Sequence, residues 1–370
     1  MLTLKPQLLV KNMKKTKNHE NQKMPWQYKL VNDIFSKKEI NNCSLSEIIG
    51  DDVFEIKKHK CPPILYKFYT PTIENISDVQ NKLLWLSSPD TFNDPYDCRL
   101  NFNYEAFQQY YTIKSFKSNS MFSDEEKNII YNASLTRDGF YMDSFSYKFE
   151  NIVRNSMRKE LIYFQRELWE KTMLVRNYIK NLFFNKYRIA CFSAYSWNSE
   201  QNEQLMWAHY AQSHKGFCVE YDISPLFDNA IKDEDLFSIY STGIRDEFLL
   251  PSEQRKMMIN GFFPIRYSSR KNELSKSLCY AISQNKYTPK QAYDLKIKSF
   301  RALITKLLPW KYEQEWRLIV DANISKKTDH KVPFPFIKRI IVGVKASDEL
   351  HRILSNTAEH LNIPITNEYV

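Results

Sequence analysis

The chain has 370 residues, of which 53 are Lys or Arg and 43 are Asp or Glu, so its formal net charge is +10. Aromatic residues make up 15% of the sequence, and glycine contributes only 6 residues. This composition argues against a largely disordered chain, and the sequence contains no glycine-rich string of the kind that binds nucleotide phosphates. The positive charge favours anionic partners such as nucleotides, nucleic acid or acidic proteins, although lysine-rich surfaces often only keep a protein in solution.

The six cysteines are scattered without any CxxC pair, so a zinc ribbon or a thioredoxin-type redox site is not indicated. No apolar run approaches the roughly 18–20 residues that a membrane span needs. The first residues, "LTLKPQLLVK", are too interrupted for a secretory signal. We therefore expect a cytoplasmic protein that has reduced thiols and no membrane partner.

Three regions are predicted along the chain. Residues 1–60 form a basic N-terminal leader that is partly disordered, because the first 25 residues show no sustained apolar period. Residues 61–350 form a single α+β domain, and residues 351–370 form a C-terminal helix and tail. Within the domain, apolar residues recur at steps of three and four between about 104 and 186, which predicts a large helical insertion.

Strands are predicted on both sides of this insertion. Before it, "ILYKFYT" and "LLWLSSP" are strand-like; after it come "RIACFSAY" and "FCVEYD". A helix over residues 198–213 is predicted between the last two strings, with Gly216 as a left-handed stop. A second helix is predicted from Thr288 to about Leu308, where Thr288 and Gln291 form a capping box, and "WKYEQEWRLIV" and "IKRIIVGV" follow as strands. This irregular order fits α+β better than a doubly wound parallel sheet.

The string "YEQEWRLIV" carries the most distinctive side chains. On a strand, Trp316 and every second residue after it face the core, while Glu313, Glu315 and Arg317 project from the opposite side. Two carboxylates and a guanidinium must face water, pair with each other or line a cleft. Nearby aromatic residues such as Trp310 favour the cleft, but a solvated face with an ion pair stays open.

Two further clusters are candidates for a binding site. In "SSPDTFNDPYD", Ser87 and Ser88 end a strand, so they can present hydroxyls to a ligand. Asn93, Asp94 and Asp97 follow in the turn, where the alternative for Asn93 and Asp94 is an ordinary Asx-turn. In "QLMWAHYAQSHKGFCVEYD", the indole and imidazoles are expected to shape one wall of a cleft rather than perform a reaction.

These strings, together with "ACFS" and "IKRIIVGVK", resemble an uncharacterised bacterial family, domain of unknown function twenty-nine seventy-one, over about residues 64–344. More distantly, the order of a basic strand, a strand ending in serine and a late Glu-x-Glu strand resembles the ADP-ribosyltransferase fold. That resemblance implies split mixed or antiparallel sheets that form a cleft for NAD. It also implies an NAD-using transferase or NAD glycohydrolase, such as a toxin-like effector in bacterial defence.

The resemblance implies a role for each candidate residue. Glu315 would contact the nicotinamide ribose of NAD, Glu313 would orient the acceptor, and Lys67 with Ser87 or Ser88 would hold the nucleotide. The predicted catalytic residues are Glu315 and Glu313, and the predicted substrate-binding residues are Lys67, Ser87, Ser88, Asn93, Arg317, Trp207, His209 and Tyr210. NAD is expected as a substrate, the acceptor is a protein or a nucleic acid, and no metal is expected.

Two other classes of function stay open. A non-catalytic ligand-binding or regulatory module would use the same aromatic and polar strings as a pocket, and it would be stabilised by ligand without turnover. A metal-dependent nuclease would use Asp94, Asp97, Glu220 or Asp222 with magnesium. The sequence lacks the compact spacing of metal ligands that a nuclease site needs.

Overall fold

The computed structural model describes residues 26–36, 51–117, 123–128, 158–182, 185–194, 200–237, 249–326 and 328–368. The fold is α+β with a mixed sheet, as predicted. Much of the predicted helical insertion, and residues 1–25 and 37–50 of the predicted leader, lie outside the described residues. None of the helices in the described part is both long and apolar enough to cross a membrane.

The helices are α1 (Trp26–Ser36), α2 (Asp51–Lys60), α3 (Ile73–Gln80), α4 (Tyr104–Lys117), α5 (Arg158–Asn181), α6 (Glu200–Tyr210), α7 (Asp233–Phe237), α8 (Pro251–Gly261), α9 (Lys276–Gln284), α10 (Pro289–Leu303), α11 (Ala322–Lys326) and α12 (Asp348–Leu361). The strands are β1 (Ile64–Tyr69), β2 (Leu83–Trp85), β3 (Tyr187–Ser193), β4 (Phe217–Asp222), β5 (Phe262–Pro264), β6 (Arg266–Ser268), β7 (Thr305–Leu307), β8 (Glu315–Asp321), β9 (Lys331–Pro333), β10 (Ile337–Val342) and β11 (Ile365–Asn367).

Seven strands form the main sheet, in the order β11-β10-β4-β1-β3-β8-β5. All neighbours are antiparallel except β10 and β11. β1 pairs with β4 along six residues and β3 pairs with β8 along seven, whereas β1 and β3 are paired only at Tyr66 and Ser193. The sheet therefore consists of two well-paired halves joined through one residue pair. We call the space beside that pair the opening between β1 and β3.

The two faces of the sheet are covered by different elements. On one face, α3, α8 and α12 enclose a core that includes Phe192, Trp316 and Leu318. On the other face, α6 covers β1 and β4, while α4, α5, α9 and α10 cover β3 and β8 around Ile189 and Ile319. The alternation predicted for β8 is confirmed, because Trp316, Leu318 and Val320 face the first core, whereas Ile319 faces the second. The opening between β1 and β3 lies between the two groups of helices that cover the second face.

Parts of the predicted leader form helices that pack on the core. Leu30 and Val31 of α1 are buried in the same core as α10. Lys57 of α2 is buried, and its ammonium group donates hydrogen bonds to the carbonyls of Ile259 and Asn260 at the end of α8. These bonds satisfy carbonyl groups at a helix terminus and fix α2 against α8.

Two local predictions differ from the structure, and two elements were not predicted. The helix that begins after Thr288 ends at Leu303, because Thr305–Leu307 instead pairs with β6. Strand β2 ends at Trp85, before the serines, and Ser87 forms only an isolated bridge to Ile189. Helix α3 was not predicted, and the predicted C-terminal tail contains β11, which lies parallel to β10.

Gly216 does not act as a left-handed stop, so that prediction was wrong. The positive φ angles occur earlier, at Gln212, Ser213 and His214, while the backbone of Gly216 has no positive φ. A Cβ atom at Gly216 would lie 2.1 Å from the carbonyl oxygen of Tyr69. Glycine is required at this position because two backbone segments approach closely, not because of a left-handed conformation.

Candidate functional site

A cavity of about 360 Å³ lies at the opening between β1 and β3. Its walls come from β1, β3, the segment 87–97, α6, and the chain between Lys306 and Glu315. Tyr66 and Ser193, the residue pair that joins the two halves of the sheet, are part of the lining. The position of the cavity therefore follows from the short pairing of β1 with β3.

Seven of the ten predicted site residues line this cavity: Lys67, Ser87, Asn93, His209, Tyr210, Glu313 and Glu315. The other three do not. Arg317 and Trp207 are 0% exposed, and Ser88 uses its carbonyl to accept a bond from Thr91 at a short 3₁₀ helix. Direct ligand contact was predicted for Arg317 and Trp207, but both side chains lie behind the cavity wall.

Five charged side chains form what we call the charge network: Asp97, Lys306, Glu313, Glu315 and Arg317. Arg317 lies 2.6 Å from oxygens of both Glu315 and Asp97. Lys306 Nζ lies 2.6 Å from Glu313 and 3.1 Å from Glu315. All five side chains are buried, so the predicted alternative of a solvated strand face is wrong. Three carboxylates and two cations leave one excess negative charge when every group is ionised.

The two glutamates of the network have opposite pKa shifts. Burial alone would raise the pKa of Glu315, but the charges of Arg317 and Lys306 outweigh it and hold that pKa well below the usual range. Burial, together with the charge of Glu315, raises the pKa of Glu313 to about 7. Near neutral pH, Glu315 is therefore ionised while Glu313 can exchange a proton, a division of roles typical of paired catalytic carboxylates.

Neighbouring groups fix the orientation of these glutamates. Tyr210 donates a hydrogen bond from its hydroxyl to the carboxylate of Glu313. Ser193 donates to the Glu313 carbonyl at 2.5 Å, and the backbone N–H of Glu315 donates to the hydroxyl of Tyr267 at 2.8 Å. Glu313 had been predicted to lie on the same strand as Glu315, but it belongs to a 3₁₀ helix (Leu308–Glu313). Its side chain nevertheless reaches the same cavity as Glu315.

Lys67 lies across the opening between β1 and β3. Its ammonium group is 3.4 Å from the carbonyl oxygen of Cys191 and lies over the ring of Tyr69 at 5.4 Å. Burial lowers the pKa of Lys67, while Cys191 and Glu315 act in the opposite direction. Lys67 thus supplies a hydrogen-bond donor to the cavity from the half of the sheet opposite Glu315.

Three aromatic side chains, which we call the ring cluster, lie beside the cavity. The ring centroid of His209 is 6.3 Å from those of Trp310 and Tyr312, which are themselves 6.3 Å apart. His209 is exposed and lines the cavity, and Lys306 Nζ lies 4.9 Å from the centre of the Trp310 ring. The ring cluster therefore connects the buried charge network with solvent.

Sequence reasoning missed two members of the charge network. Lys306 was assigned to the end of a helix, but it lies on the short strand β7. Asp97 was named only as part of the turn after the serines and in the nuclease alternative, not as a partner of Arg317. The signal for Asp97 was present, since it follows the serine string in a turn, but its pairing with Arg317 joins segments that are far apart in sequence.

The four acidic residues of the nuclease alternative are not brought together. Asp97 lines the cavity, whereas Asp94, Glu220 and Asp222 do not. Glu220 is paired with Arg339 on the neighbouring strand β10. Within the part of the chain that the structure describes, no three His, Cys, Asp or Glu side chains are grouped so that they could hold a metal ion.

Residues 206–318 match the model of a family described as Protein of unknown function (DUF2971). The match begins in α6 and ends in β8, so it includes Tyr210, Lys306, Glu313, Glu315 and Arg317. It supports the resemblance to this family and names no reaction. No curated protein and no solved structure matches the chain significantly.

Proposed function

We propose that the cavity binds the nicotinamide ribose end of NAD and cleaves its N-glycosidic bond, so that ADP-ribose passes to an acceptor or to water. One observation carries this proposal. Glu313, Glu315, Lys67 and Ser87, which the ADP-ribosyltransferase resemblance assigns to one site, line one cavity at the opening between β1 and β3. An ADP-ribosyltransferase-like split sheet is part of the same proposal.

The chemistry fits the side chains. When the bond between ribose C1′ and the nicotinamide nitrogen breaks, its electron pair leaves with nicotinamide and positive charge develops on the ribose. A buried carboxylate beside the ribose stabilises that charge where water screens it little. Glu315 suits this role, because Arg317 and Lys306 keep its pKa low and the group ionised. The acceptor oxygen or water then attacks C1′ and gives its proton to Glu313.

The size of the cavity suits one end of the dinucleotide. Small-molecule sites usually measure about 300–1,000 Å³, and this cavity, at about 360 Å³, lies at the lower end. The nicotinamide ribose end would occupy it, while the adenine end would lie outside. The ring cluster of His209, Trp310 and Tyr312 offers flat faces for stacking there. The acceptor would be a protein or a nucleic acid, consistent with a toxin-like effector in bacterial defence.

The test measures nicotinamide release from NAD and the transfer of labelled ADP-ribose to macromolecules of a cell lysate. We expect Glu315→Gln to lower the rate at least about 100-fold, the usual cost of removing a charge-stabilising group. Glu220→Gln is the matched control. Glu220 is also a glutamate that is 4% exposed and paired with an arginine, but it lies outside the cavity.

Two outcomes would contradict the proposal. Equal turnover by Glu315→Gln and the unmodified protein would remove Glu315 from the reaction. Thermal stabilisation by NAD without any turnover would instead support the alternative of a ligand-binding module, because a ligand that binds only the native state stabilises it by mass action.

A further inference from the structure

Asp97, a residue of the cavity lining, has a buried oxygen atom without a hydrogen-bond partner. Its Oδ2 accepts a bond from Arg317 at 2.6 Å and lies 3.7 Å from Lys306. Its Oδ1 is buried and has no donor within hydrogen-bonding distance. The side chain is 1% exposed, and the residue is part of the cavity lining. Buried polar atoms are nearly always paired, so an unpaired acceptor on a residue of the cavity wall indicates a donor that the protein itself does not supply.

We infer that Asp97 Oδ1 accepts a hydrogen bond from the ligand, and that Asp97 is a specificity-determining residue which selects ligands carrying a hydroxyl or amide donor. The identity of the ligand rests on the proposed function. In NAD, two kinds of group can donate this hydrogen bond: the hydroxyls of the nicotinamide ribose and the N–H groups of the carboxamide.

A purely structural role explains only one of the two oxygen atoms of the Asp97 carboxylate. Anchoring Arg317 requires Oδ2 alone, and Arg317 also bonds Glu315 and the carbonyl of Leu303. The bond from Arg317 fixes the direction of the Asp97 side chain, and local contacts fix its backbone. The N–H of Asp97 donates to the carbonyl of Asp94 at 3.1 Å, and the next residue, Cys98, is buried with φ of 51°. The acceptor is therefore held in place before any ligand binds.

A fixed and otherwise unpaired acceptor discriminates strongly. A ligand that offers a donor satisfies it, whereas an analogue without that donor leaves it desolvated and unpaired. The discrimination should therefore exceed that of a purely apolar wall, which separates similar ligands only weakly.

The experiment compares the whole protein with Asp97→Asn, which has nearly the same size and can still offer its carbonyl oxygen to Arg317. The amide nitrogen then faces the ligand as a donor instead of an acceptor. We expect KM for NAD to rise at least about tenfold and the thermal stabilisation by NAD to be lost. Asp78→Asn is the control, since Asp78 is also buried and paired with a cation, Lys331, but does not line the cavity.

Analogues of NAD identify the donor group, and they can be compared on the unmodified protein without any variant. The 3-acetylpyridine analogue lacks the amide N–H groups, and deoxy analogues lack a hydroxyl of the nicotinamide ribose. The analogue without the relevant donor should bind the unmodified protein at least about tenfold more weakly than NAD does. Asp97→Asn should bind this analogue and NAD with equal affinity. This comparison remains decisive if Asp97→Asn fails to fold.

The outcomes separate this inference from the proposed function. If the protein cleaves NAD but neither Asp97→Asn nor any analogue changes KM or thermal stabilisation, the inference is overturned and the proposed function stands. If NAD binds without cleavage and binding depends on Asp97, the inference stands and the proposed reaction fails. If neither NAD nor nicotinamide riboside binds, both are overturned.

Discussion

At the scale of single residues, Lys306 is the side chain on which the buried carboxylates depend most. Its ammonium group lies within 3.1 Å of both Glu313 and Glu315, and Asp97 is 3.7 Å away. These carboxylates raise the pKa of Lys306 against the opposing effect of burial, so the amine stays charged. Removing one partner of a buried ion pair leaves the other charge uncompensated.

We therefore predict that Lys306→Met lowers the free energy of unfolding by about 3–5 kcal/mol, the usual cost of breaking a buried pair. Lys127→Met is the control, because Lys127 pairs at 3.5 Å with Asp124, whose side chain is 99% exposed. The control should lose less than about 1 kcal/mol. Urea denaturation measures both values. Similar losses in the two variants would show that the charge network does not stabilise the fold.

The raised pKa of Glu313 gives a second prediction, on stability against pH. The pKa rises from the usual 4.5 to about 7 in the folded protein. Between these values the folded protein holds a proton that the unfolded chain has released. The contribution of Glu313 to stability is therefore fully present below pH 4.5 and is lost as the pH rises through 7. It amounts to about 3 kcal/mol at most.

Urea denaturation between pH 5 and pH 8 tests whether stability falls as the pH rises. Relative to Glu313→Gln, the unmodified protein should lose stability as the pH rises. Glu315 does not interfere, because its depressed pKa gives a contribution that is already complete above its unfolded pKa of 4.5. The raised pKa would be excluded if the difference in unfolding free energy between the two proteins stayed constant between pH 5 and pH 8. It would also be excluded if the unmodified protein gained stability relative to Glu313→Gln as the pH rose.

At the scale of elements, the turn between α6 and β4 offers two opposite substitutions. In Gly216→Ala, the new Cβ would lie 2.1 Å from the backbone oxygen of Tyr69, so the unfolding free energy should fall by about 3 kcal/mol or more. Ser213 is exposed and has φ of 55°, a conformation that glycine adopts without strain. Ser213→Gly should therefore remain within about 1 kcal/mol of the unmodified protein. Equal losses in the two variants would contradict the close approach of Gly216 to Tyr69.

The ends of α10 illustrate which features could be predicted from the sequence. Its start depends on local chemistry, and the predicted capping box of Thr288 and Gln291 is present. Its end depends on a distant segment, because Thr305–Leu307 pairs with Arg266–Ser268 instead of continuing the helix. This long-range pairing outweighs local helical periodicity. The site residue Lys306 was missed for the same reason.

The same distinction applies to the candidate site. Glu315 and Arg317 could be assigned to one strand face because a strand alternates with a period of two. The position of Glu313 required a 3₁₀ helix and the left-handed residue Gln314, with φ of 46°, which a uniform strand pattern does not reveal. The unpartnered oxygen of Asp97 was beyond sequence reasoning, since it depends on which donors the complete fold brings near.

At the scale of the whole molecule, the sheet combines two continuously paired halves with one short junction. β4 and β10 support β1, and β8 supports β3, but only Tyr66 and Ser193 join the halves directly. Lys67 lies on β1 in one half, whereas Ser87, which forms a bridge to Ile189 of β3, and Glu315 on β8 lie with the other half. A ligand that contacts Lys67 and Glu315 would therefore connect the two halves.

This arrangement predicts where bound NAD slows the exchange of backbone amide hydrogens. Strands β1 and β3 lack continuous pairing with each other, so their amides at the opening should exchange more readily than amides within a half. With NAD bound, exchange should slow in peptides covering Ile64–Tyr69 and Tyr187–Ser193. A peptide covering Ile337–Val342 is the control, because β10 is paired on both sides and lies away from the cavity. Slowing confined to the control peptide, or unchanged exchange in β1 and β3 at saturating NAD, would place the ligand elsewhere.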